Sequence, residues 1–474
     1  MLRKQATSRE LATDPSYHTQ AKSGTQLLRS IWTVVLARRG IVAFLPVVIA
    51  VILLFGGASW QIFWLHTDAA RYQCYALTFW QGSQGTHLLP GIQCSFLSQF
   101  GVANSNVPPL HILPFEYPPL TLSIFSLALL APLAYYQVAF AILMALVAIL
   151  IYWLLQRYGP RGSGLACAFY LVIGAWATAE GRFDLVPAGL TLLCLIAAER
   201  RRWTLAYVAL ALAFLLKIYP LLLLPALFMA EQIAGGRFRK PASPLTLKTL
   251  PGEIWQTLRG AGQWRWKNTL LCFGLVLAIS GLFALLNFQG AVVSQLSYFA
   301  SRPVQVEATG STLLWLATLF GHPASVVYTY GSINIASNLG NAVALACEVC
   351  FVLGYALTIL WQWRGKLDVV QAFIVLILVF IVTGKVFSPQ YLIWLIPLLA
   401  YSGAFNRRWF ILWGALSLLT TVIYPYLYML TKNATLAPYV PGFIECVTLR
   451  NVLLVLITLA FLFNWWNLNQ RKAT

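Results

Sequence analysis

Apolar stretches of about 20 residues recur along most of this chain, and each is long enough to cross a hydrocarbon core of roughly 30 Å. They begin near Ile41, and 59% of the 474 residues are hydrophobic while only 9% are charged. Because lipid cannot hydrogen-bond exposed backbone groups, such stretches must form helices. The sequence therefore predicts an all-α fold, a polytopic transmembrane helical bundle of about twelve spans, and it excludes an ordinary soluble enzyme.

The segments between the apolar stretches give the domain organisation. We predict one membrane domain between two cytoplasmic tails, with two long extracytoplasmic loops and a basic cytoplasmic loop. The residues are 1–40 (basic tail), 41–466 (membrane domain), about 66–135 and 287–340 (extracytoplasmic loops), about 235–267 (cytoplasmic loop) and 467–474 (C-terminal tail). In the first loop, residues 118–130 are too short and too Pro-bounded for a full crossing. We predict a juxtamembrane helix there, with a re-entrant segment as the alternative.

The distribution of the residues that give the net charge of +19 agrees with this topology. Most Lys and Arg residues fall in segments placed on the cytoplasmic side, which is the usual bias of membrane proteins. The charge therefore indicates contact with anionic membrane lipids, and no nucleic-acid partner is expected. We expect the chain in a bacterial plasma membrane, with both termini in the cytoplasm. The sequence does not determine the oligomeric state.

The eight cysteines show no metal-ligand spacing, so the sequence gives no sign of a zinc site. Cys74 and Cys94 share the first extracytoplasmic loop, where a disulfide is plausible if the compartment is oxidising. The sequence leaves this pairing open.

Ionisable residues collect on the extracytoplasmic side of the predicted topology. They are Asp68, Arg71, Glu116, Arg182, Asp184, Lys217, Arg302, Glu307 and Lys385. A charge held at the edge of a bilayer is costly and is by default a functional candidate. Carboxylates and cations together suit a substrate that is part lipid and part phosphate or sugar, because cations bind phosphate and a carboxylate accepts a hydroxyl proton.

Several of these residues have a structural alternative. Asp68 follows an apolar span directly, so it is either a catalytic base or the N-cap of the next helix. Glu116 precedes two prolines that stiffen its turn, and both a functional and a structural role stay open. Arg302 and Glu307 lie in a loop that could cover a site.

The remaining cations and Asp184 are equally ambiguous. Asp184 lies two residues after Arg182, so a local salt bridge between them is slightly favoured. Lys217 and Lys385 could extend to the lipid headgroups. Each lies near Pro and Tyr rather than in a basic run, which also fits contact with a phosphate.

The order of these motifs resembles a known family. An acidic residue after the first span, a long outer loop ending in FEYPP and a juxtamembrane helix resemble the GT-C superfamily of integral-membrane glycosyltransferases. Within it, residues 181–184 (GRFD), 216–220 (LKIYP), 302–307 (RPVQVE) and 385–391 (KVFSPQY) are similar to the bacterial polyprenol-phosphate-mannose-dependent mannosyltransferases.

The resemblance implies transfer of a hexose, with mannose the expected sugar, from a polyprenyl-phosphate donor to a lipid or glycan hydroxyl at the extracytoplasmic face. It implies that Asp68 is the general base and that Glu116 assists it. Lys217, Arg302, Lys385 and Arg182 would bind the donor phosphate. Arg71, Tyr117, Asp184, Tyr219, Gln305, Glu307, Gln390 and Tyr391 would position the substrates.

The chain departs from this family at one point. GT-C enzymes often carry two adjacent acidic residues after the first span, whereas Asp68 is followed by Ala69 and Ala70. No tightly bound divalent ion or other cofactor is therefore expected, and metal dependence stays open. One base without an enzyme nucleophile implies a single displacement with inversion.

A flippase or transporter of lipid-linked sugars is the competing interpretation. Transporters place their binding residues near the bilayer midplane. Here the predicted spans are nearly all apolar at their centres, with Glu348 as the main exception. The concentration of charge at the outer rim favours surface chemistry over translocation.

Overall fold

A computed structural model of the chain describes residues 38–100, 106–238 and 248–463. The predicted C-terminal tail lies wholly outside the described residues, and the N-terminal tail and the basic cytoplasmic loop lie partly outside them. The chain divides into two compact units, Met1–Pro46 and Val47–Thr474. Of the first unit the structure describes residues 38–46, and the candidate functional residues discussed below all belong to the second unit.

The described residues are mostly helical, as the apolar stretches predict. The α-helices are α1 (Arg38–Phe63), α2 (Asp68–Gln81), α3 (Thr121–Leu127), α4 (Tyr136–Tyr158), α5 (Ser163–Gly174), α6 (Leu185–Glu199), α7 (Trp203–Leu216), α8 (Leu224–Ala234), α9 (Leu250–Arg259), α10 (Lys267–Leu286), α11 (Ser294–Ser301), α12 (Thr309–Thr318), α13 (Gly340–Trp363), α14 (Val369–Thr383), α15 (Tyr391–Ser402), α16 (Arg407–Thr421) and α17 (Phe443–Leu462). Short 3-10 helices are Gly82–Leu88, Gly91–Gln93, Ser95–Phe100, Ala128–Leu130, Leu133–Tyr135, Tyr219–Leu223, Gly260–Gln263 and Ala434–Tyr439, and π-helical turns are Gln289–Val293 and Val422–Leu427.

Six helical segments within the described residues are long and apolar enough to cross a membrane. They are Val42–Phe63, Leu133–Tyr158, Lys267–Leu286, Gly340–Trp363, Arg407–Leu427 and Phe443–Leu462. The other apolar helices have 10–17 residues. At about 1.5 Å per residue these are shorter than a hydrocarbon core of about 30 Å. Helices occur where the spans were predicted, but a bundle of twelve spans is not confirmed.

The prediction of a purely helical fold is wrong in the segment 287–340, which was expected to be a loop. It contains α11, α12 and an antiparallel hairpin of β1 (Ala324–Thr329) and β2 (Ser332–Ser337). Ala324 pairs with Ser337 at the open end of the hairpin. The turn is formed by Tyr330 and Gly331, both with positive φ (53° and 66°). Two such residues suit the tight turn that matches the twist of a hairpin.

The first predicted extracytoplasmic loop is also largely structured. Thr67 caps α2 by accepting a hydrogen bond from the backbone N–H of Ala70 at 3.4 Å. The N-cap alternative for Asp68 is therefore wrong, because Asp68 is the first residue of the helix itself. A disulfide joins Cys74 on α2 to Cys94 in the following segment, with a sulfur–sulfur distance of 2.09 Å.

The helix predicted within residues 118–130 is present as α3 and the 3-10 turn after it. It packs against α2, and the ring of Phe125 stacks on that of Tyr72 with centroids 4.2 Å apart. This contact fixes α2 and the Asp68 end of that helix against the segment after the FEYPP motif.

The α6–α7 pair positions two further charged segments. The two helices pack against each other and are joined by a tight turn at residues 200–202. Because α6 begins after Asp184 and α7 ends before Lys217, these two residues lie at the same end of the pair. The Arg200–Arg202 turn lies at the opposite end. At the centre of the fold, residues 370–378 of α14 are all buried.

Candidate functional site

Asp68 and Arg182 form the accessible ion pair of the candidate site. Nη2 of Arg182 lies 2.6 Å from Oδ2 of Asp68, and the two side chains are 14% and 19% exposed. Asp68 lies in the first turn of α2, where the helix dipole favours a negative charge. Within the described residues Oδ1 of Asp68 has no hydrogen-bond partner. One oxygen of the carboxylate is therefore oriented, and the other is available to a ligand.

Lys217 and Asp184 form a second pair beside the first. Nζ of Lys217 lies 2.6 Å from Oδ1 of Asp184, and the indole N–H of Trp394 donates to the same oxygen at 2.6 Å. The predicted local bridge between Asp184 and Arg182 is therefore wrong, because each pairs across the fold. Burial lowers the pKa of Lys217, although Asp184 opposes this shift. Asp68 and Arg182 also act on the charge of Lys217, so the two pairs are neighbours.

An aromatic stack continues from this pair toward Arg302. Trp394 stacks between Tyr391 and Tyr219, with centroid distances of 4.0 and 4.3 Å. Arg302 acts electrostatically on the Tyr391 hydroxyl. The Arg302 guanidinium lies 5.2 Å from the ring centroid of Tyr298. Arg302 has no ion-pair partner in the part of the chain that the structure describes. It is thus a fixed cation available to an anion.

Tyr117 connects the Asp68 end of the site with Glu116. Its ring makes edge contacts with Tyr72 at 5.6 Å and with Phe183 at 5.2 Å. Both Asp68 and Glu116 act electrostatically on its hydroxyl. Burial raises the pKa of Tyr117 and of Tyr72 well above the ordinary value. Both phenols are therefore neutral at physiological pH and can act as hydrogen-bond donors.

Glu116 forms an ion pair with Arg71 and lies next to the turn of the β-hairpin. The Arg71 guanidinium lies 4.4 Å from the ring centroid of Phe96. Gly331 at the turn of the β-hairpin packs over this pair. A Cβ on that glycine would come within 3.5 Å of Oε1 of Glu116 and 3.6 Å of Nη1 of Arg71. These are ordinary van der Waals distances, so the ion pair leaves room for a Cβ, and it is the positive φ of 66° that favours glycine at this position.

Glu307 lies inside the protein rather than in a covering loop. Arg450 on α17 approaches it at 2.9 Å through Nη1, and the Tyr428 hydroxyl donates to its other oxygen at 2.9 Å. Glu307 and Arg450 are both almost completely buried. The Arg450 guanidinium also lies 4.0 Å from the ring centroid of Phe387. This pair braces α17 against the segment before α12, so Glu307 itself is closed to a ligand.

The KVFSPQY segment contributes less to the site than its residue types suggest. Nζ of Lys385 lies 2.9 Å from Oε1 of Glu348 on α13, away from the Asp68 pair. Gln305 donates its backbone N–H to the Lys385 carbonyl and accepts the N–H of Phe387. Gln390 accepts from the Ser388 hydroxyl next to it. These glutamines hold the segment in place, and no described contact joins Lys385 to the Asp68 pair.

Glu180 is a candidate residue that the sequence reasoning missed. It is completely buried, and neither carboxylate oxygen has a hydrogen-bond partner within the described residues. Burial raises the pKa of Glu180 to about 8. It lies two residues before Arg182. A glutamate between small apolar residues in the same short segment was the sequence signal for it.

Within residues 38–100, 106–238 and 248–463, no three His, Cys, Asp or Glu side chains lie close enough together to hold a metal ion. Comparison with known proteins found no matching protein family and no similar curated protein.

Proposed function

We propose that this protein is a membrane glycosyltransferase that moves a hexose from a polyprenyl-phosphate donor to a lipid or glycan hydroxyl at the extracytoplasmic face. The observation that carries the proposal is the Asp68 carboxylate, which is oriented by Arg182 through one oxygen and open at the other. Lys217 is a cation near Asp68, and Arg302 acts electrostatically on Tyr391, as Arg182 does. The resemblance to polyprenol-phosphate-mannose-dependent enzymes makes mannose the expected sugar.

In the proposed reaction, Oδ1 of Asp68 accepts the proton of the acceptor hydroxyl while its oxygen attacks C1 of the sugar. The bond from C1 to the phosphate oxygen breaks, and polyprenyl phosphate leaves as an anion. Arg182 holds the Asp68 carboxylate in place through the ion pair. Lys217 and Arg302 stabilise the negative charge that grows on the leaving phosphate. A single displacement inverts the configuration at C1.

The aromatic residues have two roles in this proposal. The stack of Tyr391, Trp394 and Tyr219 offers an apolar surface to the lipid-linked donor. The neutral hydroxyls of Tyr72 and Tyr117 hydrogen-bond to each other, which leaves one of them to donate a hydrogen bond to the acceptor near Asp68.

The disulfide supports the extracytoplasmic placement. Disulfides persist in oxidising compartments and are rare where thiols are kept reduced. The Cys74–Cys94 bond closes the segment that follows Asp68. A plasma-membrane protein with this segment outside the cytoplasm fits both the bond and the supply of polyprenyl-phosphate donors at that face.

The test compares the purified wild type with Asp68→Asn in nanodiscs, using polyprenyl phosphomannose as donor and a membrane glycolipid extract as acceptor. Release of polyprenyl phosphate should fall by about 100-fold or more, the usual contribution of a general base. Glu445→Gln removes an exposed carboxylate at the start of α17 and should leave release unchanged. Near-normal transfer by Asp68→Asn would show that this base is not needed.

The same assay separates the enzyme from a carrier. A glycosyltransferase cleaves the donor, whereas a flippase or transporter moves the intact donor across vesicles without releasing polyprenyl phosphate. NMR of the product should show the anomeric configuration inverted from that of the donor.

A further inference from the structure

An open cavity lined by charged residues lies at the end of the α6–α7 pair opposite to the Asp184–Lys217 pair. Its volume is about 350 Å³, within the roughly 300–1,000 Å³ typical of ligand pockets. The lining residues are Arg201, Arg202, Trp203, Thr204, Leu205, Arg265 and Asn268. Because α6 and α7 each have about four turns, roughly 20 Å separates this cavity from the Asp68 site.

The cavity carries uncompensated positive charge. Arg201 and Arg202 have no ion-pair partner in the portion of the chain that the structure describes. Arg265 approaches Oε1 of Glu231 only at 3.9 Å, and Asn268 donates to that same oxygen at 2.7 Å. A guanidinium group binds phosphate through two parallel hydrogen bonds. Three arginine side chains around one cavity therefore favour a phosphate-bearing ligand.

The backbone adds donors to the same cavity. α7 begins at Trp203 with no side-chain cap, and the residues of its first turn, Trp203, Thr204 and Leu205, line the cavity, so their backbone N–H groups have no capping side chain. A helix N-terminus attracts negative charge through these groups. Arg201 has a φ of 57°, in the left-handed region that a residue with a side chain rarely adopts. Hydrogen bonds from the N–H groups of Arg201 and Arg202 to the last turn of α6 hold this turn in place.

The residues around the cavity indicate whether the phosphate belongs to a lipid headgroup or to a soluble compound. Trp264 and Trp266 flank Arg265, and Trp266 is exposed. The short helix α9 nearby in sequence exposes Ile254, Trp255 and Leu258. Tryptophan and amphipathic helices are typical of the headgroup level of a membrane. A lipid headgroup therefore fits this cavity better than a soluble phosphate compound does.

We propose that this arginine cavity binds the phosphate group of an anionic membrane lipid. The site is independent of sugar transfer, because it lies at the other end of the helix pair from Asp68. In this proposal the phosphate ester of the lipid binds to the side chains of Arg201, Arg202 and Arg265 and to the backbone N–H groups in the first turn of α7.

The experiment measures lipid retention by native mass spectrometry on the full chain in detergent. The probes are phosphatidylglycerol and phosphatidylcholine. The cavity variant is Arg201→Gln/Arg202→Gln/Arg265→Gln. The control variant Arg161→Gln/Arg407→Gln/Arg408→Gln removes the same charge at exposed positions outside the cavity. The cavity variant should bind phosphatidylglycerol about tenfold or more weakly than the wild type, and the control variant should match the wild type.

Two further measurements complete the test. Equal melting temperatures of both variants in phosphatidylcholine would confirm that the cavity variant is folded. Inorganic phosphate should stabilise the wild type far less than phosphatidylglycerol does; equal protection would overturn the assignment to lipid. If both variants lost phosphatidylglycerol equally, net charge alone would explain binding, and the cavity would not be the lipid-binding site.

Discussion

Replacing Glu180 with glutamine tests whether the fold contains a buried neutral carboxyl two residues before Arg182. Its side chain is completely buried and has no hydrogen-bond partner within the described residues. Burial raises the pKa of Glu180 from 4.5 to about 8. A glutamine has nearly the same shape and cannot ionise, so the variant removes the titration and keeps the packing.

The magnitude follows from the difference in pKa between the folded and unfolded chain. The shift corresponds to roughly 5 kcal/mol, because each pKa unit is about 1.4 kcal/mol. The unfolded chain loses this proton above about pH 4.5, while the folded chain keeps it to about pH 8. The unfolded state thus binds fewer protons in this window, and the free energy of unfolding decreases as pH rises. Above about pH 8 both states are ionised and the effect is constant.

Glu180→Gln should therefore gain stability relative to the wild type, by about 1.4 kcal/mol per pH unit between about pH 5 and about pH 8. Denaturant unfolding of both proteins in the same detergent measures the difference, and all other titrating groups cancel in the subtraction. Glu445→Gln, at an exposed position, should give a difference without this slope. Two results would refute the reasoning. One is a difference in stability between Glu180→Gln and the wild type that stays constant with pH, and the other is a difference that falls between pH 5 and pH 8. A constant difference would mean that Glu180 is ionised in the folded state throughout this pH range.

Two further changes test the buried pair and the disulfide. Glu307→Gln and Arg450→Met should each lower the free energy of unfolding by about 3–5 kcal/mol, because each leaves a buried charge uncompensated. The double variant should lose much less than the sum, and additive losses in denaturant unfolding would contradict the pairing. Replacing Cys74 and Cys94 by serine should lower stability by about 3 kcal/mol. The same reductant that destabilises the wild type should then have no effect on the double serine variant, and an equal effect on both would exclude a role for this bond.

The helices could be predicted from the sequence because apolar periodicity is a local property. The apolar run at residues 185–198 of the sequence coincides with α6, Leu185–Glu199, to within one residue. The number of crossings could not be predicted in the same way. α14 is apolar on every side because protein surrounds it. A helix surrounded by lipid has the same composition, so the pattern does not distinguish the two.

The hairpin was missed although it has a sequence signal. Residues 324–337 contain β-branched residues on both sides of Tyr330-Gly331, a pattern typical of two short strands and a tight turn. The signal is weak beside the apolar stretches, which dominate a sequence of this composition. The ion-pair partners had no local signal at all. Glu307 and Arg450 are 143 residues apart, and only the packing of α17 brings them together.

The hairpin also distinguishes the two carboxylates to which the sequence assigned catalysis. Glu116 forms an ion pair with Arg71, lies next to the turn at Gly331 and is less exposed than Asp68 (8% against 19% of the side chain). Asp68 keeps one oxygen without a partner in the described structure while Arg182 fixes the other. Proton transfer needs an accessible oxygen in a fixed position, and Asp68 meets both requirements. Under the proposed mechanism, Asp68 is therefore the better candidate for the base, and Glu116 is a candidate positioning residue next to the hairpin.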